Sequence, residues 1–317
     1  MFWDRGRLIL PRLAVLALVS LGLVACGDGN DKAPSAATAN VAGKLTAVLA
    51  TADLAVGPQR LSFVVLDGDV PVTDKSVYVR FFKDASKQAR VVGEGPIPWT
   101  PLGAKEDLHA AGGHDETELT GIYYVNIEFD EPGDWGIGIS LGEQPNPAKE
   151  IRVGFTVKQR SQAVGVGEKA VAVKNPTSKD RPLKQIHTRA DADPDFHTMN
   201  IAEAVSSGKP SIIVFATPSF CRTRTCGPAL QVAMKAALAF QGKANFVHVE
   251  PYELDANGDL AKDAQGNQFK LVEASTAWRL PSEPWAFVVD RTGTVVARFE
   301  GPYGIEELDA AIAGVTN

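Results

Sequence analysis

Two cysteines in the C-terminal half of the sequence, Cys221 and Cys226, are the residues best suited to chemistry. Four residues separate them, and the third cysteine of the chain, Cys26, lies near the N-terminus. A thiolate attacks a disulfide sulfur, and a second thiol nearby then resolves the mixed disulfide. The pair therefore predicts a redox-active dithiol that exchanges disulfides with other proteins.

The spacing of this pair restricts where the following helix begins. On one helix, α-carbons at this spacing lie roughly 8–9 Å apart, beyond the disulfide window of about 4.4–6.8 Å. Either the helix begins near Cys226 or the segment unwinds when the bond forms, and Pro228 favours the first option. Cys226 would then have a pKa lowered by the helix N-terminus, while Arg222 and Arg224 add positive potential near Cys221. Which thiol attacks first stays open.

The segment around the cysteines has the pattern of an α/β domain. A continuous apolar run, Ser211–Ala216, is typical of a strand covered on both faces, and the cysteines follow it. The predicted order is helix, strand, helix, strand, hairpin and helix. The second helix is the crossover that two parallel strands need between them. The other elements are predicted at Met199–Ser207, 228–241, Ala244–Val249, Trp285–Asp290, Thr294–Phe299 and Ile305–Ala313.

Residues 182–317 resemble the thioredoxin-like proteins. A cysteine lies between the first buried strand and its helix, Cys226-Gly227-Pro228 matches the start of the Cys-Gly-Pro-Cys motif, and Pro284 directly precedes a strand. The resemblance implies a three-layer α/β domain with a mixed sheet. It also implies a cis bond before Pro284 that faces the cysteines, so that Cys221, Cys226 and Pro284 are the predicted catalytic residues.

Departures from the motif leave other interpretations open. Ala229 stands where the motif has its second cysteine. One alternative is a non-catalytic binding or scaffold lipoprotein in which the cysteines form a structural disulfide. A peroxiredoxin-like site requires a Thr three residues before the first cysteine and a Pro seven residues before it. These positions are Pro218 and Val214 here, which disfavours a peroxiredoxin-like site. Copper-delivery proteins of this fold use a three-residue spacing and a distant His; His248 is that candidate, but on a core strand it is interpreted as structural.

The N-terminus has the pattern of a lipoprotein export signal. Arginines precede an apolar run, Leu13–Ala25, that is too short to span a membrane. Leu23-Val24-Ala25-Cys26 resembles a lipobox, at which bacteria attach lipid to the cysteine and cleave before it. We predict a signal peptide over residues 1–25, lipid attachment at Cys26 and a flexible tether over residues 26–43. The protein would be anchored to a membrane and face outside the cytoplasm, where disulfides persist.

Residues 44–158 consist of short alternating runs separated by turns, which predicts an all-β sandwich. The run Gly121–Phe129 and the turn that leads to Trp135 resemble the end of immunoglobulin-like domains in bacterial exported proteins. Residues 159–181 show little periodicity and are predicted to be a linker. Strands are predicted at Leu45–Ala50, Gln59–Val65, Ser76–Phe82, Gly121–Phe129, Trp135–Leu141 and Glu150–Val157.

Composition and the remaining motifs narrow the partners. The net charge of −6 argues against nucleic acid. His109 and His114 lack a thiol or carboxylate at ligand spacing, and Asp255–Asp259 lacks the spacing of an EF-hand, so we predict no metal and no cofactor. The expected partners are thiols or disulfides of exported proteins, or a membrane reductant. Trp278 and Trp285 fit either the floor of a peptide groove or the core.

Overall fold

The computed structural model describes residues 38–40, 45–83, 90–103, 119–189, 194–221, 223, 225–266 and 269–317. Contacts divide the chain into Met1–Lys32 and Ala33–Asn317, and every described residue lies in the second unit. The predicted signal peptide and Cys26 lie outside the described residues, as does most of the predicted tether. Within the described part, no helix has the length and apolar character needed to cross a bilayer.

The described residues between 38 and 157 form two antiparallel sheets. The strands are β1 (Thr38–Asn40), β2 (Leu45–Leu49), β3 (Gly57–Asp67), β4 (Val70–Pro71), β5 (Val77–Lys83), β6 (Arg90–Ile97), β7 (Thr100–Pro101), β8 (Gly121–Phe129), β9 (Gly133–Leu141) and β10 (Ile151–Val157). One sheet has the order β1-β2-β3-β8-β7, with β4 paired to β3, and the other has the order β10-β9-β5-β6.

The two sheets enclose one apolar core. Alternate side chains of each strand point inward because successive residues of a strand face opposite sides, and Phe63 of β3 and Ile137 of β9 are almost fully buried there. The rings of Phe129 and Trp135 pack edge to face at 4.8 Å between centroids. The strands predicted from alternation all form. Strand β6, in which Gly93 and Gly95 interrupt the pattern, was not predicted.

The C-terminal part contains a four-stranded mixed sheet with the order β12-β11-β13-β14. Strand β11 is parallel to β12 and antiparallel to β13, and β13 and β14 form an antiparallel hairpin. These elements are α1 (Ile201–Ser206), β11 (Ser211–Phe215), α2 (Cys226–Ala239), β12 (Asn245–Val249), α3 (Glu273–Ala277), β13 (Trp285–Val289), β14 (Val295–Glu300) and α4 (Ile305–Thr316).

Helices cover both faces of this sheet. Residues of α2 and α4 share a core with Ile212 and Val214 of β11, while residues of α1 and α3 share a core with Ile213 and Phe215. Strand β11 is therefore buried on both faces, as its continuous apolar run predicted. The predicted element order is confirmed, and α3 is an addition to it.

The sandwich and the mixed sheet meet at a buried polar contact. The Asp53 carboxylate, which is fully buried, pairs with Nζ of Lys158 at 3.0 Å and with Nη1 of Arg298 in β14 at 3.4 Å. Arg60 of β3 makes a bidentate ion pair with Glu307 of α4 at 2.7 and 2.9 Å. These contacts fix the end of the sandwich against the part of the chain that carries the cysteines.

The segment 159–181, predicted to be a linker, packs against the mixed sheet. Ala163 and Val164 are buried with Trp278, and the Trp278 indole donates a hydrogen bond to the Val171 carbonyl at 3.1 Å. A segment without helix or long strand thus adds buried apolar surface, which periodicity cannot reveal.

Candidate functional site

The two cysteines lie where the chain leaves β11 and enters α2. Cys226 is the first residue of α2, with Thr225 before it as the N-cap residue, so the helix start predicted from Pro228 is confirmed. Cys226 is fully buried, Cys221 is partly exposed in the preceding loop, and both are free thiols. A substrate approaching from solvent therefore meets Cys221 before Cys226.

Cys221 is surrounded by hydrogen-bond donors. Its sulfur accepts the Cys226 backbone N–H at 3.3 Å and lies 3.3 Å from the Thr223 hydroxyl and 3.9 Å from the Thr225 hydroxyl. The largest effect is a hydrogen bond with the Cys226 thiol, and together these donors lower the pKa of Cys221 from 9.0 to about 5 despite its partial burial. Cys221 is therefore a thiolate at neutral pH.

The expectation that the helix N-terminus lowers the pKa of Cys226 is wrong. Burial raises the pKa of Cys226 well above its ordinary value, and its interactions with Cys221 raise it further, while the Thr217 backbone N–H lowers it. The first N–H of α2 points at the sulfur of Cys221 instead of its own side chain. The helix end does stabilise a thiolate, but that thiolate is Cys221. Arg222 and Arg224 lie outside the described residues.

Two buried acidic side chains, Glu283 and Glu250, interact with the cysteines. Burial, together with the negative charge of Cys221, raises the pKa of Glu283 to about 7, while a hydrogen bond from the Tyr252 hydroxyl at 2.9 Å lowers it. Burial also raises the pKa of Glu250 to about 8. The hydroxyl of Thr217 approaches the Glu250 carboxyl and lowers its pKa, but makes no well-aligned hydrogen bond to it. Both carboxyls interact electrostatically with Cys221.

The predicted proline lies beside this acidic group. The Glu283–Pro284 bond is cis, as predicted, and the Pro284 carbonyl accepts the Gly301 N–H at 2.9 Å. Glu283 interacts electrostatically with both cysteines, which brings this end of β13 to the same region of the domain. Trp278 and Trp285 are both buried in the core, which favours the core-packing interpretation of these rings.

The remaining candidate residues from the sequence are Asp255, His109, His114 and His248. Asp255 forms a turn, in which its carboxylate accepts the backbone N–H groups of Asn257 and Asp259 at 2.7 and 3.1 Å. His109 and His114 lie outside the described residues. His248 is buried beside His187 and His197, and no ligand-spacing motif in the sequence singles out these two residues.

The mixed sheet and the position of the cysteines define the class of the C-terminal part. Its strand order and directions, and the helix that begins at the cysteine pair, are those of a thioredoxin-like domain. No family model and no curated protein sequence matches the chain.

A solved structure shares similarity with part of the chain. It is the crystal structure of a thiol:disulfide interchange protein, a thioredoxin family protein, from Chlorobium tepidum TLS. The match covers 47% of this chain and 100% of that chain, with 13% identity and a TM-score of 0.27. Similarity at this level says nothing about the chemistry of the site, which depends on the geometry described above.

Proposed function

We propose that the protein is a thiol–disulfide oxidoreductase in which Cys221 is the nucleophile and Cys226 is the resolving thiol. One observation carries the proposal: the partly exposed sulfur of Cys221 accepts the first N–H of α2 at 3.3 Å, beside the buried thiol of Cys226. A low-pKa, accessible thiolate next to a second thiol is the arrangement that disulfide exchange requires. A structural cysteine pair has no need of an activated sulfur.

The reaction proceeds in two exchanges. The Cys221 thiolate attacks a substrate disulfide, forming a mixed disulfide and releasing one substrate thiolate, which takes a proton from water. Cys226 then loses its proton and attacks the Cys221 sulfur, forming the Cys221–Cys226 disulfide and releasing the second substrate thiolate. The substrate gains two electrons and the protein loses two. The reverse sequence oxidises a substrate dithiol.

The second exchange needs an acceptor for the Cys226 proton, and we assign that role to Glu283. Its pKa of about 7 suits proton transfer at neutral pH, and it senses the charge of both sulfurs. Glu283→Gln should therefore slow resolution of the mixed disulfide more than it changes the first attack by Cys221. Single-turnover kinetics separate the two steps, and an equal effect on both would reject this role.

The proposal also covers where the protein lies in the cell and which substrates it acts on. The lipobox-like Leu23-Val24-Ala25-Cys26 supports lipid attachment at Cys26, with the body of the protein outside the cytoplasm. Thiols or disulfides of exported proteins would be the substrates, and a membrane reductant would return the pair to its dithiol form. Detergent-phase partitioning checks the anchor: the wild-type protein should enter the detergent phase and Cys26→Ser should remain in the aqueous phase.

For the N-terminal part we propose an immunoglobulin-like sandwich. Strands β2-β3-β8-β7 and β10-β9-β5 follow the ABED and GFC arrangement of that fold, and β1, β4 and β6 are additions to it. In this view the sandwich holds the cysteine-bearing domain at a distance from the membrane, through the ion pairs of Asp53 and Arg60.

Reduction of a protein disulfide tests the proposed activity. With a small dithiol as electron donor, the wild-type protein should accelerate reduction of insulin, and Cys221→Ser should remove the acceleration. Ser275→Ala, which alters a buried hydroxyl on α3, is a matched control for a small change in a buried polar group and should keep the activity. Wild-type rates no higher than those of Cys221→Ser would refute the proposal.

A further inference from the structure

Three histidines converge in the interior of the C-terminal part. His187, His197 and His248 are 5%, 2% and 1% exposed. Nδ1 of His187 lies 3.1 Å from Nδ1 of His248 and 3.2 Å from Nε2 of His197. One ring nitrogen from each residue thus lies within 4.8 Å of the other two. His248 belongs to β12, whereas the other two come from the segment before α1, in which His197 is the last residue of a short 3-10 helix, Pro194–His197.

The tautomer of His248 is set by its surroundings. Its Nε2 lies 2.8 Å from the Ala216 carbonyl oxygen, and a carbonyl only accepts hydrogen bonds. Nε2 therefore carries the proton of the neutral ring, and the lone pair of Nδ1 faces the other two histidines. Metal-ligating histidines commonly donate their second ring N–H to a backbone carbonyl or a carboxylate in this way.

Hydrogen bonding alone satisfies both contacts inside the cluster only if the proton on Nδ1 of His187 is shared between the other two rings. Nδ1 of His187 takes part in each of them, and a neutral ring nitrogen either donates one proton or accepts one. If His187 donates to His248, it has no lone pair for a proton from His197. If it accepts from His197, two lone pairs face each other across 3.1 Å. A cation among the three nitrogens removes this conflict, because each lone pair then points at positive charge.

Two of the three separations fit such a cation. Nitrogen ligands at about 2.0–2.1 Å in a tetrahedral arrangement lie roughly 3.3–3.4 Å from one another, close to the 3.1 and 3.2 Å that separate His187 Nδ1 from the other two rings. The third pair, His197 and His248, lies within 4.8 Å. We propose that His187, His197 and His248 bind a first-row transition-metal cation of the kind that imidazole ligands favour, such as Zn²⁺. This site is separate from the cysteine pair and does not depend on thiol chemistry.

Zinc titration of the purified full-length protein tests the site. Competition with a chromogenic chelator should show one tightly bound Zn²⁺ per chain. X-ray absorption of the complex should show nitrogen ligands at about 2.0–2.1 Å and no sulfur at about 2.3 Å. A sulfur shell, or no Zn²⁺ retained against the chelator, would overturn the proposal.

Variants locate the binding residues. Loss of an outer partner of a metal ligand costs about 10–100-fold in affinity, so His197→Ala, which removes a ligand, should weaken Zn²⁺ binding more than about 100-fold. His197→Asn should do the same, and circular dichroism of both metal-free variants checks that they fold. The controls His109→Ala/His114→Ala and Cys221→Ser/Cys226→Ser should bind as the wild type does. Unchanged binding by a folded His197 variant, or lost binding by either control, would refute the assignment.

Discussion

The low pKa of Cys221 should be visible in the rate at which this residue attacks a small aromatic disulfide at pH 5. The same rate at pH 7 should not reveal it. With a pKa of about 5 instead of 9.0, Cys221 is about 99% thiolate at pH 7, whereas an ordinary cysteine is about 1%. A thiolate becomes less nucleophilic as its pKa falls, with a Brønsted slope of about 0.4–0.5. Over this pKa range the loss is about 40–100-fold per thiolate, so the two effects nearly cancel at pH 7.

At pH 5 the larger thiolate fraction of Cys221 outweighs the lower nucleophilicity of its thiolate. About half of Cys221 is ionised there, against about 0.01% of an ordinary cysteine, a ratio of about 5,000. After the same loss of nucleophilicity, Cys221 should react about 50–125 times faster than an ordinary cysteine. Its rate should stay nearly constant from pH 9 down to about pH 6 and fall tenfold per pH unit below pH 5.

Substitution of Cys226 isolates the main cause of this shift. The Cys226 thiol contributes the largest lowering of the Cys221 pKa. Cys226→Ala removes that donor and should move the midpoint of the rate profile upward, while Cys226→Ser keeps a hydroxyl donor and should leave it near 5. Stopped-flow rates from pH 4 to 9, in a Cys26→Ser background, provide the measurement. A wild-type rate that falls tenfold per pH unit from pH 8 downward would refute the assignment of the thiolate to Cys221.

The remaining predictions concern the contact between the sandwich and the mixed sheet. Asp53→Asn should lower the free energy of unfolding by about 3–5 kcal/mol, because it leaves the mostly buried Arg298 guanidinium without its anionic partner. Lys270→Gln, at an exposed pair, should cost less than about 1 kcal/mol. Burial acts to raise the pKa of Asp53, but hydrogen bonds hold this pKa below 3.8. The contribution of the Asp53 carboxylate to the free energy of unfolding is therefore complete above pH 4, and it is lost as the pH falls through the pKa of the folded state. Urea unfolding at pH 7 and at pH 3 checks both points, and an equal difference at the two pH values would contradict them. Gly301 has φ +72°, and a Cβ there would lie 2.7 Å from the Ala50 carbonyl oxygen. Gly301→Ala should therefore destabilise the protein by at least about 1–2 kcal/mol, whereas Gly314→Ala, in α4 with open space around it, should stabilise it by up to about 1 kcal/mol; similar unfolding midpoints for the two variants would contradict this.

Much of the fold could be predicted because burial leaves a local pattern in the sequence. The apolar run Ser211–Ala216 predicts a strand covered on both faces, and alternation in Gly121–Phe129 predicts a strand with one buried face. Pro228 predicts where α2 begins. Strand β6 escaped prediction because Gly93 and Gly95 place no side chain in the pattern.

The electrostatics of the site could not be predicted in the same way. The helix N-terminus at Cys226 was recognised, but the sulfur that receives its N–H depends on how the loop from Cys221 folds back. The histidine cluster was missed for a related reason. His187 and His248 are brought together by tertiary packing across 61 residues of chain, and no local spacing records such a contact.

Trapping of mixed disulfides tests the central claim most directly. In cells that express Cys226→Ser, Cys221 should attack substrates but remain unresolved, so covalent complexes with exported proteins should accumulate and disappear on reduction. Cys221→Ser should accumulate none, because the buried Cys226 has a raised pKa and no access to substrate. Complexes trapped by Cys221→Ser alone, or by neither variant, would contradict the assignment of nucleophile and resolving thiol.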